Sequence, residues 1–374
     1  MQKIIYLDNN ATTELDPLVT SAMLEELKAP PSNPSSQHSL GRQAKNRLLK
    51  ARETIASYCG VKSKEIIFTS SGTESMNFLI QGFCTSHHAF HVVSSKIEHS
   101  CVEKTLLELE KKGVSVSFLK PETNGKVSLE NIEKAITQNT KLLVFSAING
   151  ETGVKQDIEK ISELALKYGI SLIVDGVALI GKEPFKISPG ISAMGFSGHK
   201  FHGPKGVGFV FLRSSKKFPA LLLGGGQESG LRSGTENLPG IVGLAKAIEL
   251  LEKIPTSTLE LRNYFEKNLL EKFPFIEVNG GESQRITNVS NLAFMGVDGE
   301  TLLIQLDLQG ICASHGSACS SGALEPSRIL TEMGLSRERV KSSVRFSLSR
   351  FTTKEEIDHV IYILTQIIPK LKKT

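Results

Sequence analysis

The sequence lacks the long apolar segments of membrane and secreted proteins. No stretch in its 374 residues reaches the length of about 18 apolar residues that a membrane-spanning helix needs. Met1 is followed within a few residues by the polar Asp8, Asn9 and Asn10, and not by the apolar core of a signal peptide. We therefore expect a cytoplasmic protein that contacts no membrane.

An excess of charge of one sign is also missing. The chain has 44 Lys and Arg against 39 Asp and Glu, so its net charge is 44 − 39 = +5, with both signs interspersed. A nucleic-acid-binding domain usually carries a concentrated basic surface, so we expect no direct nucleic-acid binding. The 40% hydrophobic and 22% charged residues are near globular averages, which excludes a disordered chain.

Cysteine is scarce and irregularly spaced. The five cysteines are Cys59, Cys84, Cys101, Cys312 and Cys319. Their odd number and wide spacing argue against a disulfide framework and for free thiols, one of which can be reactive. Cys84 lies near His87, His88 and His91, but this spacing suits no common metal site, so we expect an exposed loop and no metal.

Strand-like and helix-like patterns alternate up to about residue 255. Strands are predicted at 65–69, 91–95, 114–119, 141–148, 171–175 and 206–212, and helices at 73–83, 101–112, 128–136 and 157–168. The alternation predicts an α/β fold with a mostly parallel sheet covered on both faces and ligands at the carboxyl ends of its strands. Beyond residue 255, helices at 259–272 and 354–371 flank strands at 288–294 and 344–348. We predict a large domain at 16–255 and a smaller α+β domain of 1–15 and 256–374.

Two charged residues border apolar strands. Asp175 ends the strand at 171–175, where a buried carboxylate needs a cation or a hydrogen bond. Lys200 lies in Phe196-Ser-Gly-His-Lys-Phe-His-Gly-Pro-Lys-Gly206, where a lysine can lose its proton and form a Schiff base. Pyridoxal phosphate (PLP) chemistry requires such an Asp and Lys pair. A structural salt bridge or a helix cap is the alternative for Asp175.

Two glycine- and hydroxyl-rich segments are candidate phosphate sites. Ser70-Ser-Gly-Thr-Glu74 follows a strand and opens a helix, so its backbone N–H groups could hold a phosphate or simply cap the helix. The second segment comprises Gly224 to Glu228 and Arg232 to Asn237, and a flexible linker is its alternative. With Ser197, His199 and Thr235 it could complete a phosphate cup.

His99 and Cys319 carry side chains suited to group transfer. His99 follows the strand at 91–95, and its ring could stack on a cofactor and exchange protons near neutral pH, or belong to an ordinary loop. Cys319 lies in the small-residue loop Gly316-Ser-Ala-Cys-Ser-Ser-Gly322, from which a thiol can travel to a substrate.

Ten ordered segments together resemble one family, the class V aminotransferase-like cysteine desulfurases, in the NifS/IscS-like branch with a Gly-Ser-Ala-Cys-Ser loop. The resemblance covers essentially the whole chain. The segments are Tyr6 to Thr13, Asn33 to Ser36, Gly41-Arg42, Thr69 to Ser75, Glu98-His99, Glu151 to Gly153, Ser197 to Gly206, Gly224 to Asn237, the Cys319 loop and Arg345 to Leu348.

The resemblance implies a fold-type-I PLP enzyme and a role for each matching residue. Its implied cofactor contacts are Lys200 as the Schiff-base lysine, Asp175 at the pyridine nitrogen, His99 as the stacking acid/base, and Gly72, Thr73, Ser197 and His199 at the phosphate, with Thr235 from a second subunit. Arg345 is implied to hold the substrate carboxylate by two parallel hydrogen bonds, and Cys319 to accept sulfur.

The implied activity converts L-cysteine to L-alanine and leaves a persulfide on Cys319. A homodimer would pass this sulfur to an acceptor protein, either an iron–sulfur scaffold or a tRNA-thiolation component. A selenocysteine lyase or another class V lyase is the alternative enzyme, although such a lyase has less need of a thiol on a loop. A sulfur-relay or binding protein with weak turnover is the alternative of a different class.

Two positions depart from the family pattern. Gly150 stands where the family usually has an Asn beside the cofactor ring and the substrate carboxylate, and Ala178 where it has a Gln that donates to the phenolic oxygen. Neither side chain can make these contacts. We therefore expect low intrinsic activity.

Overall fold

The computed structural model describes residues 4–85, 90–214, 218–252, 257–316 and 326–372. The predicted site residue Cys319, and the histidines His87 and His88, lie outside these ranges. None of the helices within the described ranges is long and apolar enough to cross a membrane.

The described part of the chain contains twelve strands and twelve α-helices. The strands are β1 (Ile5–Tyr6), β2 (Ile66–Thr69), β3 (His91–Ser95), β4 (Ser115–Leu119), β5 (Thr140–Ser146), β6 (Ser171–Asp175), β7 (Ile191–Ser197), β8 (Gly208–Leu212), β9 (Ile276–Val278), β10 (Val289–Phe294), β11 (Ile311–Cys312) and β12 (Ser343–Ser347). The helices are α1 (Pro17–Lys28), α2 (Ser39–Cys59), α3 (Gly72–Thr85), α4 (Ser100–Lys111), α5 (Leu129–Ala135), α6 (Ile158–Tyr168), α7 (Leu238–Glu249), α8 (Ser257–Lys272), α9 (Gly299–Leu308), α10 (Arg328–Glu332), α11 (Arg337–Lys341) and α12 (Lys354–Leu371).

The largest sheet has seven strands in the order β2-β8-β7-β6-β5-β3-β4. Strand β8 is antiparallel to both of its neighbours, and the remaining pairs are parallel. Six strands therefore run in one direction and end at the same edge of the sheet. The predicted α/β fold with a mostly parallel sheet is confirmed.

Both faces of this sheet are covered. Leu143 and Phe145 of β5 face one core, to which α1, α2 and α7 contribute, whereas Leu142 and Val144 face a second core with α3 and α4. Successive side chains of a strand point to opposite faces, so a strand that is apolar at every position is buried on both sides.

Strand β7 and helix α2 were not predicted from the sequence. The small residues Ser192, Gly195 and Ser197 interrupt the apolar pattern of β7, although all of its residues are buried. The buried face of α2 is built largely from Gly and Ala, which give a weak periodic signal. Gly60 ends α2 with a left-handed φ of 68°, and its N–H bonds the carbonyls of Ala56 and Ser57.

A smaller antiparallel sheet, β12-β10-β9, packs with α8, α9 and α12 around a third core. The N-terminal strand β1 pairs with β11, and Ile5 and Leu7 belong to this third core. Ile286 and Leu330, by contrast, pack in the first core of the large sheet. The domain boundaries at 15–16 and 255–256 stay predictions.

Candidate active site

The predicted cofactor residues lie at the edge where the parallel strands end. Asp175 is the last residue of β6 and Ser197 the last of β7. Gly72 begins α3 just after β2, and His99 directly precedes α4 after β3. Thr69 and Ser197 both pair with Gly208 of β8, so the ends of β2 and β7 lie close together although they are far apart in sequence.

Lys200 is held in a short 3₁₀ turn, Gly198–Lys200, that follows β7. Its Nζ donates to the carbonyls of Asn10 at 2.5 Å and Ala11 at 3.1 Å. The carbonyl oxygen of Lys200 accepts a hydrogen bond from Lys182 Nζ at 3.0 Å. The N-terminal segment and the β6–β7 connection therefore hold opposite ends of the same lysine.

Asp175 is buried within electrostatic range of two predicted partners. One carboxylate oxygen accepts the amide of Val177 at 2.9 Å. Burial raises the pKa of Asp175, while the charge of His99, the Val177 amide and the charge of Lys200 act to lower it. The structure thus brings Asp175, His99 and Lys200 together, and a cation facing Asp175 would stabilise its charged form.

His99 caps the start of α4. Its Nδ1 accepts the backbone N–H of Cys101 at 3.1 Å and lies 3.0 Å from the Cys101 sulfur. Thr73, His99 and Cys101 line a groove of ≈ 460 Å³ between α3 and α4. The ring is therefore placed by the helix start beside an open space.

Two of the predicted phosphate contacts, Gly72 and Ser197, form a cradle where α3 begins and β7 ends. The hydroxyl of Ser197 is buried, and it has no hydrogen-bond partner among the described residues. A Cβ at Gly72 would lie 2.6 Å from Val177 Cγ2 and 3.5 Å from Ser197 Cβ, so this position has room only for glycine. An unpartnered hydroxyl beside a helix N-terminus fits a phosphate group, as the implied PLP would require.

Of the remaining predicted phosphate contacts, His199 is largely buried and Thr235 is exposed. His199 Nδ1 lies 3.2 Å from the hydroxyl of Thr12, and burial, with the charges of Lys200 and Lys205, lowers its pKa to about 4. Its ring is thus neutral at pH 7. Thr235 is exposed in the loop before α7, and Lys205 is exposed as well.

Arg345, predicted to bind the substrate carboxylate, is buried in β12. Its Nη2 forms an ion pair with Asp8 at 2.7 Å, and its Nη1 donates to the carbonyl of Gly150 at 3.2 Å. Its Nε is buried, without a hydrogen-bond partner in the described ranges. Asp8 belongs to the Tyr6 to Thr13 segment, but its pairing with Arg345 was not predicted, because Asp8 and β12 meet only in the tertiary structure.

The segment that contains Cys319 begins and ends beside this arginine. Before it, Ser314 pairs with Arg345 through two backbone hydrogen bonds of 3.1 and 2.7 Å. After it, Ser327 donates its hydroxyl to Glu151, next to Gly150. A Cβ at Gly316 would lie 3.6 Å from Ser327 Cβ, so the two ends are close to each other.

Gly150 and Ala178, the two positions that depart from the family pattern, differ in their surroundings. A Cβ at Gly150 would have no heavy atom within 4 Å, and its carbonyl also accepts the side-chain amide of Asn10 at 2.9 Å. Ala178 is partly buried against the first core. Gly150 therefore has open space where a larger side chain could stand.

Sequence reasoning missed two buried charged residues near this site. Glu98 accepts hydrogen bonds from Ser95 at 2.5 Å and from Ser146, and burial raises its pKa to about 7, with the charge of Asp175 adding to this effect. Lys182 is 7% exposed. The only available signal was a charged residue at the end of an apolar run.

We predicted no metal site at Cys84, His87, His88 and His91, and two of these residues, His87 and His88, lie outside the described ranges. His91 contacts the hydroxyls of Thr140 at 2.8 Å and Ser117 at 2.9 Å. Within the described residues, no group of three or more His, Cys, Asp or Glu could hold a metal ion.

The sequence matches the family Aminotransferase class-V over residues 5–360. A cysteine desulfurase of Nostoc sp. (strain PCC 7120) is 41% identical over 375 residues, which cover 99% of this chain and 94% of that protein. The solved structure of a NifS-like protein is 33% identical with a TM-score of 0.93, covering 99% of this chain and all of that one. A structure titled SspA in complex with cysteine is 31% identical with a TM-score of 0.84, covering 93% and 100%.

These similarities confirm the predicted resemblance and the predicted fold class. The match extends over nearly the whole of both proteins in each case, so it is not confined to a shared cofactor motif. This chain belongs to the class-V aminotransferase family, where its relatives are cysteine desulfurases.

Proposed function

We propose that this protein is a PLP-dependent cysteine desulfurase. The reaction takes the sulfur of L-cysteine onto the Cys319 thiol, which becomes a persulfide, and releases L-alanine. Atoms and electrons balance, because the C–S bond of the substrate is replaced by a C–H bond while the S–H bond of Cys319 is replaced by an S–S bond. The protein needs no external oxidant or reductant for this step.

The cofactor proposal is supported by the chemistry of the groups at the sheet edge. Asp175 would supply a buried carboxylate for the ring nitrogen. Gly72, Thr73, Ser197 and His199 would hold the phosphate, with Thr235 from a second subunit. When bound, PLP supplies the electron sink for bond changes at the amino acid.

Lys200 and His99 handle protons in this proposal. The Lys200 amine would hold the cofactor and would take the proton from the substrate Cα. Its contacts with the Asn10 and Ala11 carbonyls hold Nζ at the sheet edge, beside Asp175. His99 would lie against the cofactor ring and exchange protons through its imidazole.

Arg345 orients the substrate by its carboxylate. Nη2 of the guanidinium is paired with Asp8 and Nη1 contacts the Gly150 carbonyl, whereas the buried Nε has no partner among the described residues. Nε is therefore the donor left for a substrate carboxylate, and a charge-assisted hydrogen bond from it would help to orient the cysteine.

Cys319 accepts the sulfur. It is three residues from Gly316, and three extended residues span at most about 11 Å. Gly316, the last residue described before it, lies close to Ser327 and Glu151. A thiolate is a much better nucleophile toward sulfur than a hydroxyl at neutral pH.

The wider setting is also part of this proposal. The protein acts as a homodimer in the cytoplasm, and its persulfide passes to an iron–sulfur scaffold or a tRNA-thiolation component. The names of the relatives give no support to a selenocysteine lyase or to a binding protein without turnover.

The convergence of Asp175, His99 and Lys200 beside the unpartnered Ser197 hydroxyl carries the proposal. Its test incubates the purified protein with PLP and L-cysteine and measures alanine and protein-bound sulfur. We expect alanine formation, loss of persulfide in Cys319→Ser, and loss of cofactor attachment in Lys200→Ala. Cys312→Ser and Lys205→Ala are the matched controls and should retain both. Wild-type alanine production by Cys319→Ser, or sulfur bound to Cys312, would contradict the role of Cys319.

A further inference from the structure

Lys182 is a buried lysine at the junction of three chain segments. It follows β6 in the connection to β7, and its Nζ donates to the Lys200 carbonyl at 3.0 Å. Its own carbonyl accepts the hydroxyl of Thr287 at 3.4 Å. It lines a small cavity of ≈ 20 Å³ together with His202, Asn288 and Arg350. A side chain so far from solvent is rarely a lysine unless its charge has a partner.

No carboxylate pairs with Lys182 within the described residues. The charged groups that face it are Lys200 and Arg350, both positive, and Arg350 is itself bound to Asp16. The nearby ring of His202 has a pKa lowered by burial to about 4, so it is neutral at pH 7. Burial, and then the charges of Lys200 and Arg350, lower the pKa of Lys182 from 10.5 to about 7.

A buried ammonium group in this setting costs stability, so its retention needs another reason. Lys182 contacts the candidate site through its hydrogen bond to the Lys200 carbonyl, so a role at that site would explain why the lysine is retained.

We propose that Lys182 is a positioning residue for Lys200, holding its backbone carbonyl so that the amine reaches the reacting atoms. The inference rests on the proposed function. Lys182 holds one end of Lys200, and the Asn10 and Ala11 carbonyls hold the other.

The same arrangement predicts how stability depends on pH. Between about pH 7 and pH 10 the unfolded chain keeps the Lys182 proton while the folded protein has lost it, so the free energy of unfolding rises with pH in this window. Below about pH 7 both states are protonated and the full cost of burial remains. A Lys182→Met variant lacks this cost at every pH.

The experiment compares wild type with Lys182→Met, Lys182→Arg and the control Lys186→Met, which replaces an exposed lysine of the same connection. Cofactor-free protein is mixed with PLP, reduced with borohydride at timed intervals, and the label on Lys200 is quantified by mass spectrometry. Thermal unfolding midpoints are recorded from about pH 6.5 to about pH 9.5.

We expect labelling of Lys200 to be about tenfold slower in Lys182→Met, partly restored in Lys182→Arg and unchanged in Lys186→Met. The unfolding midpoint of Lys182→Met should exceed that of wild type near pH 6.5, and the difference should shrink toward pH 9.5. A folded site with a misplaced Lys200 gives this combination, whereas a merely structural lysine does not.

Labelling of Lys182→Met at the wild-type rate would overturn the inference and leave the proposed function standing. A lower midpoint or failure to fold in Lys182→Met would also overturn it, since the lysine would then be structural. Absence of Lys200 labelling in wild type would overturn both. Labelled wild type that makes no alanine from cysteine would overturn the proposed function alone.

Discussion

Buried carboxyls at the sheet edge show how much a residue's surroundings decide its chemistry. Asp175 and Glu98 are both buried, and burial raises the pKa of each. Two serine hydroxyls stabilise Glu98, whereas Asp175 has the Val177 amide and the nearby charges of His99 and Lys200. Asp175 is therefore the carboxyl better suited to remain ionised opposite a cofactor cation.

At the residue scale, Gly150→Asn combined with Ala178→Gln should raise kcat/KM for L-cysteine by at least about tenfold. Each new amide would donate to an ionised acceptor, and such a hydrogen bond contributes roughly 1.5–3 kcal/mol. Position 150 has space for the larger side chain, since a Cβ there meets nothing within 4 Å. Steady-state kinetics and thermal unfolding measure the outcome.

Gly150→Ala is the control for this pair, because it adds the Cβ without the amide. It should unfold at the wild-type temperature and show no gain in kcat/KM. An unchanged kcat/KM in the double variant would mean that a water or a neighbouring hydroxyl already makes these contacts.

At the scale of elements, two helix N-termini are directed at the candidate site. α3 begins at Gly72 and α4 at Ser100, each just after a parallel strand has ended. The unpaired N–H groups and the positive end of a helix dipole attract an anion, and His99 occupies the cap of α4. The alternation of strand and helix therefore brings two helix N-termini to the sheet edge that holds the candidate site.

Gly72→Ala should weaken PLP binding about tenfold and destabilise the protein by about 1–3 kcal/mol, because the new methyl group would meet the side chain of Val177. Equilibrium dialysis with PLP and thermal unfolding provide the two readouts. Adding Val177→Ala removes the crowding methyl group and should restore much of both losses. A Gly72→Ala protein that binds PLP as tightly as wild type would show that this close contact does not shape the cradle.

At the scale of the whole molecule, the N-terminal segment at residues 8–16 connects the seven-stranded sheet with the three-stranded sheet. Asn10 donates its side-chain amide to the Gly150 carbonyl and accepts Lys200 Nζ on its own carbonyl. It also receives a hydrogen bond from Asn288 at 3.2 Å, and Asp16 pairs with Arg350. Residues from both ends of the chain thereby meet at the carboxyl edge of the large sheet.

The proposed dimer can be tested by subunit complementation. If Thr235 completes the partner's site, a Thr235→Ala protein mixed with a Lys200→Ala protein should regain activity after dissociation and reassociation. Random pairing gives heterodimers with one intact site, so recovery should reach about a quarter of wild type. Alanine production from L-cysteine measures it.

Thr235→Ala mixed with the Lys200→Ala/Thr235→Ala double variant is the control, because no pairing of these chains contains both side chains at one site. It should show no recovery. Equal activity in the two mixtures would place Thr235 in the site of its own subunit or outside the site.

Much of the fold and of the site was accessible from the sequence because it depends on local patterns. Alternating apolar strands and amphipathic helices predict a doubly covered sheet, and Asp175 and Lys200 stand out as charged residues beside apolar strands. Strand β7 and helix α2 were not predicted because their buried faces contain many Gly, Ala and Ser residues. Such small side chains give little hydrophobic periodicity.

The sequence by itself determined the family, the sheet type and the candidate residues, since each is encoded in contiguous segments. The tertiary structure alone decided the partners of these residues. They are the ion pair of Arg345 with Asp8, the hydrogen bond from Arg345 to the Gly150 carbonyl and the hydrogen bond from Lys182 to the Lys200 carbonyl. These pairs join residues that are distant in the chain or separated by a strand. Their energies depend on burial and on distances of about 3 Å, which arise only when the sheets and the N-terminal segment pack together.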